Sequence, residues 1–188
     1  NVYENTSDEA HATNKLPDYM NKLMERGVMG NKTGRGFFWK DEEKKQHALD
    51  PSTGDYRPMD QLDMPDLAYI DAVSNLYHEG RYEDGMKIFL DAEGEHPDLA
   101  RKVIAGYISY AFHRVGEVTE TIDGIDRIMG MGFNWAPPSV LVDTLGAAGA
   151  VQMIEGAGLE VPEALTKAAQ TGEPKRFFNN PLINIGKF

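Results

Sequence analysis

The chain contains no cysteine among its 188 residues. Disulfide bonds, thiolate nucleophiles and thiolate metal sites are therefore excluded. The sequence also lacks any apolar run of about eighteen residues, the length that a membrane-spanning helix needs. Its first residues show neither the basic region nor the apolar core of a signal peptide. We therefore expect a cytoplasmic protein that makes no contact with a membrane.

Basic residues are scarce relative to acidic ones. Nineteen Lys and Arg residues stand against thirty Asp and Glu residues, which gives a net charge of −11. This balance argues against a broad nucleic-acid surface, because phosphate binding needs concentrated cations. A local basic pocket for a phosphorylated cofactor is still compatible with it. The hydrophobic content of 41% is ordinary for a globular protein with one large or two small domains.

Helical periodicity dominates the chain. A helix is predicted from Pro17 to a stop at Gly27, and a series of helices follows from Asp66 onward. The longest is predicted from Pro97 to Val115, with two adjoining apolar stripes that indicate burial on more than one side. The turn sequence Asp50–Asp55 predicts a small β-hairpin within residues 46–57. Nothing alternates strand with helix, so a parallel sheet is not indicated.

Two segments of the sequence match each other without a gap. Pro17–Gly27 and Pro162–Gly172 both open with proline and an acid, carry lysine at the sixth position and end on glycine. Each is followed by a phenylalanine pair, Phe37-Phe38 in one case and Phe177-Phe178 in the other. We interpret this as an internal repeat whose first copy is incomplete, so that the chain is a piece of a longer protein. A chance match of two short helices is the weaker interpretation.

The glycine-rich loop Gly27–Gly36 superficially resembles a phosphate-binding loop. The P-loop pattern fails here, because Asn31 precedes Lys32 and the loop follows a helix instead of a strand. A tight turn that delivers Phe37, Phe38 and Trp39 into a core is the favoured interpretation. No glycine fingerprint for dinucleotide binding opens a helix after a strand, so the chain by itself is not expected to bind NAD.

Histidines and carboxylates offer few catalytic or metal-binding patterns. His113 and Glu117 lie four apart, the spacing of a base and its orienting acid on one helix face, although most such pairs are surface contacts. No two histidines have the spacing of a helical zinc site. Asp50, Ser52 and Asp55 hint at calcium but lack the twelve-residue loop, so a turn is favoured. We therefore assign no catalytic, cofactor-binding or metal-binding residue.

Four segments resemble the C-terminal domain of 3-hydroxyacyl-CoA dehydrogenases. Leu23–Trp39, with its Lys-Thr-Gly-Arg-Gly-Phe-Phe run, is similar to the end of that domain. Ala105–Val118, Ile122–Trp135 and Asp143–Gly146 are similar to its beginning and middle. Long members of this family carry two such helical domains after a Rossmann domain. The resemblance implies an all-α fold like the C-terminal domain of 6-phosphogluconate dehydrogenase, duplicated with a truncated first copy, plus a small β-hairpin.

The resemblance implies that the chemistry takes place outside this chain. In the family, the NAD fingerprint and the catalytic His–Glu pair belong to the Rossmann domain. The helical domain lends an Asn-Arg pair that faces the substrate, and the matching positions here are His113 and Arg114. The asparagine is replaced, so these two residues are degenerate substrate-facing candidates. Pro137-Pro138 stands where a Gly-Pro pair is usual, which favours a copy kept for packing.

The resulting hypothesis divides the chain into residues 1–60, the end of a first repeat, and residues 61–188, the second repeat. It describes the C-terminal part of an NAD-dependent oxidoreductase of fatty acid β-oxidation, inactive alone, whose acyl-CoA substrate binds through the absent Rossmann domain. The two repeats are expected to pair within one chain, and self-association into a homo-oligomer stays open. The alternative is a non-catalytic helical module that binds a partner unrelated to acyl-CoA.

Overall fold

The computed structural model of the protein describes residues 2–171 and 176–185. The chain forms two compact units, Asn1–Pro65 and Asp66–Phe188, called below the N-terminal unit and the helical unit. Within the described ranges the chain is mostly helical and contains one small antiparallel sheet. The predicted helical class with a small hairpin is thus confirmed. Its likeness to the 6-phosphogluconate dehydrogenase domain stays a prediction.

The N-terminal unit combines short helices with a three-stranded sheet. The helix predicted after Pro17 is confirmed: the Pro17 carbonyl accepts the N–H of Met20 at 2.9 Å, and Gly27 ends the helix at φ +72°. Short 3-10 turns span His11–Asn14, Asn31–Thr33 and Met59–Gln61. The other elements, in chain order, are α1 (Val2–Asn5), α2 (Asp18–Glu25), β1 (Phe38–Lys40), β2 (Gln46–Leu49) and β3 (Tyr56–Pro58).

The three strands are antiparallel in the order β1-β2-β3, with Trp39 opposite His47 and Leu49 opposite Tyr56. The predicted hairpin corresponds to β2 and β3. Its turn is held by Asp50, whose carboxylate accepts the Ser52 N–H at 2.9 Å. The predicted turn in this segment is therefore confirmed. The strand β1 is an addition that the sequence pattern did not indicate.

The loop between α2 and β1 is closed by its own backbone. The N–H of Gly30 donates to the carbonyl of Arg35 at 2.8 Å, and a Cβ on Gly36 would lie 2.7 Å from the Cα of Gly30. Only glycine at position 36 allows this approach. The prediction that the loop delivers three aromatic side chains into a core is wrong for two of them. Phe37 is 45% exposed and Phe38 is 56% exposed.

The helical unit follows the predicted series closely. A hairpin of the helices Ala68–His78 and Tyr82–Asp91 opens the unit, and Gly85 permits its close packing, since a Cβ there would lie 2.5 Å from the Tyr77 ring. The helix α6 continues into a π-helical turn at Ile128–Gly132. The helices are α3 (Ala68–His78), α4 (Tyr82–Asp91), α5 (Glu95–His113), α6 (Ile122–Arg127), α7 (Pro138–Leu145), α8 (Ala147–Gly156) and α9 (Glu163–Thr171).

The core of the helical unit lies around α5. This helix packs against α4, α6, α7 and α8, and α9 packs on α8. The fully buried side chains that meet here are apolar, which makes burial the main source of stability of the unit. They include Ile108, Val142, Ala150, Ile154 and Leu165.

One face of α5 is not covered. Leu99, Val103 and Tyr110 lie on one side of the helix and are 59%, 63% and 40% exposed. The helix α5 is nevertheless central to the unit, because it packs against α4, α6, α7 and α8. Burial of its whole apolar surface is not found within the unit, because the neighbouring helices occupy the opposite face. Leu99, Val103 and Tyr110 are called the α5 face below.

Candidate functional site

His113 is the last residue of α5 and is half-buried. Its Nδ1 lies 2.8 Å from the carbonyl oxygen of Ser109, and its Nε2 lies 3.9 Å from the Glu160 carboxylate. The hydroxyl of Ser109 donates to the carbonyl of Glu160 at 2.8 Å. These contacts fasten the C-terminal end of α5 to the connection between α8 and α9. In these contacts His113 has a structural role.

Arg114 follows His113 in the sequence and contacts different residues. Its guanidinium lies 2.7 Å from the carboxylate of Glu117 and 4.6 Å above the centre of the Tyr110 ring. Because α5 ends at His113 and a turn follows, Glu117 is not on a shared helix face with His113. The predicted pairing of His113 with Glu117 is therefore not formed. A substrate-facing role for His113 and Arg114 stays a prediction.

The start of α7 depends on a carboxylate from another helix. Pro137 precedes α7 and Pro138 is its first residue, and the helix has no side-chain cap at its start. The N–H of Ser139 donates instead to Oδ1 of Asp126 on α6, at 3.1 Å. Asp126 is 0% exposed, and its Oδ2 accepts no hydrogen bond of normal geometry from the described residues. This carboxylate joins α6 to α7.

Burial raises the pKa of Asp126 to about 6. The N–H and hydroxyl of Ser139 lower this pKa, while the negative charges of Asp123 and Asp143 raise it further. Burial also raises the pKa of Tyr107, which lies close enough to feel the charge of Asp126. The Tyr107 hydroxyl donates to the carbonyl of Ala136 at 2.8 Å. Both groups are held in internal contacts around the α6–α7 joint.

A cleft of about 530 Å³ lies within the helical unit, between the start of α4, the helix α7 and residues 176–185. Its lining combines the charged Arg81 and Arg176 with Asp143 and the ring of Phe178. Arg81 is paired with Asp84 at 2.8 Å, so its charge is already compensated. The cleft is a concave surface of mixed polarity, and neither His113 nor Arg114 lines it.

Asp143 uses both carboxylate oxygens to hold the final segment. It accepts the N–H of Phe177 at 2.7 Å and that of Phe178 at 3.0 Å. Asp123 similarly accepts the side-chain amide of Asn180 at 2.8 Å. The ring of Phe177 then packs edge-to-face on Phe112 of α5, with centres 5.4 Å apart. These carboxylates are engaged in holding residues 176–185 on the unit.

Sequence reasoning did not single out Asp126 or assign a role to Asp143. For Asp126, the Pro137-Pro138 pair was an available sequence signal. A helix that begins at a pair of prolines needs an acceptor from elsewhere for its first N–H group. No comparable signal exists for Asp143, because its partners are backbone amides 34 and 35 residues away.

The described residues were compared with the usual arrangements of a metal site, a membrane-spanning helix and an NAD-binding unit. No group of three or more histidine or carboxylate side chains within residues 2–171 and 176–185 is arranged to hold a metal ion. Among the described helices, none is both long and apolar enough to cross a membrane. The strands are three or four residues long and antiparallel, which does not fit the strand–glycine-loop–helix unit that holds NAD.

Comparison with known proteins supports the predicted resemblance. The chain is 26% identical over 176 residues to a probable 3-hydroxyacyl-CoA dehydrogenase of Bacillus subtilis (strain 168). The alignment covers 91% of this chain but 21% of that protein, so the chain spans about one fifth of the length of the curated relative. No protein-family model matches the chain. No solved structure matches it significantly.

Proposed function

We propose that the chain is the C-terminal helical part of an NAD-dependent 3-hydroxyacyl-CoA dehydrogenase of fatty acid β-oxidation. The observation that carries this proposal is the alignment over 91% of the chain with a probable enzyme of that kind, of which only 21% is covered. The remainder of such a protein has ample length for the nucleotide-binding and catalytic parts. In the proposal, NAD and the acyl-CoA substrate bind there, and the protein is cytoplasmic.

The role proposed for the helical unit is mechanical support of the acyl-CoA cleft. The carboxylates Asp126, Asp143 and Asp123 are engaged in joining helices and in holding the final segment. His113 and Arg114 bind neighbours at the end of α5. Groups committed in this way position the fold and are poor candidates for proton transfer to a substrate.

The local structure supports a duplication. The carbonyl of Pro17 accepts the N–H three residues later at 2.9 Å, and the carbonyl of Pro162 does the same at 3.0 Å. The seventh residue of each matched segment, Leu23 in one and Ala168 in the other, is buried. Residues 172–175, which include the end of the second segment at Gly172, lie outside the described residues. The repeat boundaries at 1–60 and 61–188 stay a prediction.

The two phenylalanine pairs differ in how their first rings are packed, and a truncated duplication would explain this difference. In the helical unit, Phe177 packs on Phe112 of α5. Its counterpart Phe37 in the N-terminal unit is 45% exposed. We therefore propose that in the intact protein a helix equivalent to α5, belonging to the first repeat, covers Phe37. The α5 face would then pair with that equivalent helix within one chain, where the linker supplies a high effective concentration.

The assay that tests the function compares the 188-residue chain with the intact protein. Each is incubated with a 3-hydroxyacyl-CoA and NAD, and NADH formation is followed by absorbance. The intact protein is expected to produce NADH with the acyl-CoA substrate, and the 188-residue chain is expected to produce none. Absence of turnover by the intact protein over a range of acyl chain lengths would contradict the proposal.

A second candidate is a non-catalytic helical module that binds a partner unrelated to acyl-CoA. The observation that favours it is the exposure of Met131, Phe133 and Trp135 just after α6, since exposed aromatic side chains are enriched at binding surfaces. The same assay separates the two candidates, because this module predicts no NADH formation by the intact protein.

A further inference from the structure

The loop region of the N-terminal unit has a charge opposite to that of the whole chain. The fifteen residues from Arg26 to Lys40 include Lys32 and Arg35 as well, and they contain no acidic residue. The chain as a whole carries a charge of −11. A local excess of positive charge on an acidic protein creates a confined region that attracts anions.

These four cations are not neutralised by neighbours. None of them takes part in an ion pair within residues 2–171 and 176–185. Other arginines of the chain behave differently: Arg57 binds Asp50 at 2.8 Å, and Arg101 binds Asp98 at 2.6 Å. The loop cations therefore keep their full charge for a ligand.

Arg35 is positioned by an aromatic platform. Its guanidinium carbon lies 4.3 Å from the centre of the Trp39 ring and 5.9 Å from that of Tyr56. The loop that carries it is closed by the Gly30–Arg35 backbone hydrogen bond and by Thr33, whose hydroxyl oxygen accepts the N–H of Met29 at 2.9 Å. A guanidinium held close to a ring keeps N–H groups that can donate to phosphate oxygens, and its planar surface can stack on a further planar group.

We propose that Lys32 and Arg35, supported by Trp39, form a binding site for a nucleoside phosphate. The phosphate groups would bind the two cations, and the planar base would stack on the guanidinium plane of Arg35. A small ligand fits better than a long nucleic acid, because the acidic remainder of the chain repels an extended polyanion. The inference is independent of the dehydrogenase proposal, since binding is measured directly and without turnover.

The experiment uses the fluorescence of Trp39 in the 188-residue chain. The chain has two tryptophans, so a Trp135→Phe background leaves Trp39 as the single reporter. ADP is titrated at low salt and is expected to change the emission saturably. Inorganic pyrophosphate is expected to bind at least about threefold more weakly than ADP, and adenosine without phosphate is expected to show no saturable binding.

Variants locate the site. Lys32→Gln and Arg35→Gln are each expected to weaken ADP binding about tenfold, because each removes one charge-assisted contact to phosphate. Lys15→Gln is the matched control, since it removes the same charge at the opposite end of α2, and it is expected to bind ADP as the parent does. Circular dichroism checks that each variant is folded. Lys32 is exposed and makes no ring contact, so its variant tests the site even if Arg35→Gln disturbs the sheet.

Several results would overturn the proposal. These are no saturable response to ADP, equal affinity for ADP and pyrophosphate, or unchanged affinity in both folded variants. Tighter binding of an oligothymidylate or of anionic vesicles, with no response to ADP, would assign the patch to a macromolecular or membrane partner and would likewise contradict it.

Discussion

The free energy of unfolding of the helical unit is expected to include a part of about 3 kcal/mol that varies with pH because of Asp126. Replacing Asp126 with asparagine is expected to remove that part. Burial raises the pKa of this carboxyl to about 6, well above its ordinary value of 3.8. The folded state therefore holds the proton more tightly than the unfolded state. The stability that Asp126 contributes is fully present below about pH 4 and is lost as the pH rises through about 6.

Asparagine keeps an oxygen that accepts the Ser139 N–H but carries no charge. We expect Asp126→Asn and the parent chain to differ in free energy of unfolding by an amount that changes by about 2 kcal/mol between pH 4 and pH 7.5, which is most of the total. Urea unfolding at a series of pH values measures this difference. Glu155→Gln, which neutralises an exposed carboxylate on α8, is the control and should show no such change. A difference that is constant with pH would show that Asp126 is not a strongly buried acid.

Replacing Val103 with glutamate is expected to abolish self-association of the 188-residue chain. Val103 lies in the middle of the α5 face, between Leu99 and Tyr110, and is 63% exposed. In the proposal this face pairs with an equivalent helix, and in the isolated chain a second copy takes that place. Burying an uncompensated carboxylate in such an interface is strongly unfavourable, so the dissociation constant should rise about a hundredfold or more.

Analytical ultracentrifugation over a range of concentrations measures this effect. The parent chain is expected to form a dimer, and Val103→Glu is expected to be a monomer. The control is Lys102→Glu, which also places a new acid on an exposed part of α5 but outside the apolar face. A parent chain that is monomeric at all concentrations, or a Val103→Glu variant that still dimerises, would contradict a pairing role for the α5 face.

The helices were predictable because their signals are local. Pro17 and Gly27 mark the start and stop of α2, and Gly80 and Gly94 separate the helices around α4. The hairpin was predictable for the same reason, since Asp50 forms its turn with residues two to five positions away. Boundaries were less certain. The helix α5 ends at His113 instead of Val115, and the turn that follows places Glu117 off the helix face of His113.

The polar interior was not predictable from the sequence, because its partners are distant along the chain. Asp126 binds a backbone N–H thirteen residues away, and Asp143 binds two that lie 34 and 35 residues away. No periodicity encodes such pairs. The exposure of Phe37 and Phe38 was missed for a related reason. An aromatic residue after a tight turn is usually buried, and only the packing of the unit shows that these two rings lack a cover.

In the proposed enzyme, the reacting groups lie outside these 188 residues, and the helical unit supports the substrate cleft without taking part in the chemistry. The most direct measurement is the turnover of the intact protein with a 3-hydroxyacyl-CoA and NAD after His113→Ala. His113 is the residue in this chain that comes nearest to a catalytic candidate. The turnover is expected to stay within about twofold of the parent, because the ring contacts Ser109 and Glu160 at the end of α5. A loss of about a hundredfold or more, with the variant still folded and still binding NAD, would contradict it.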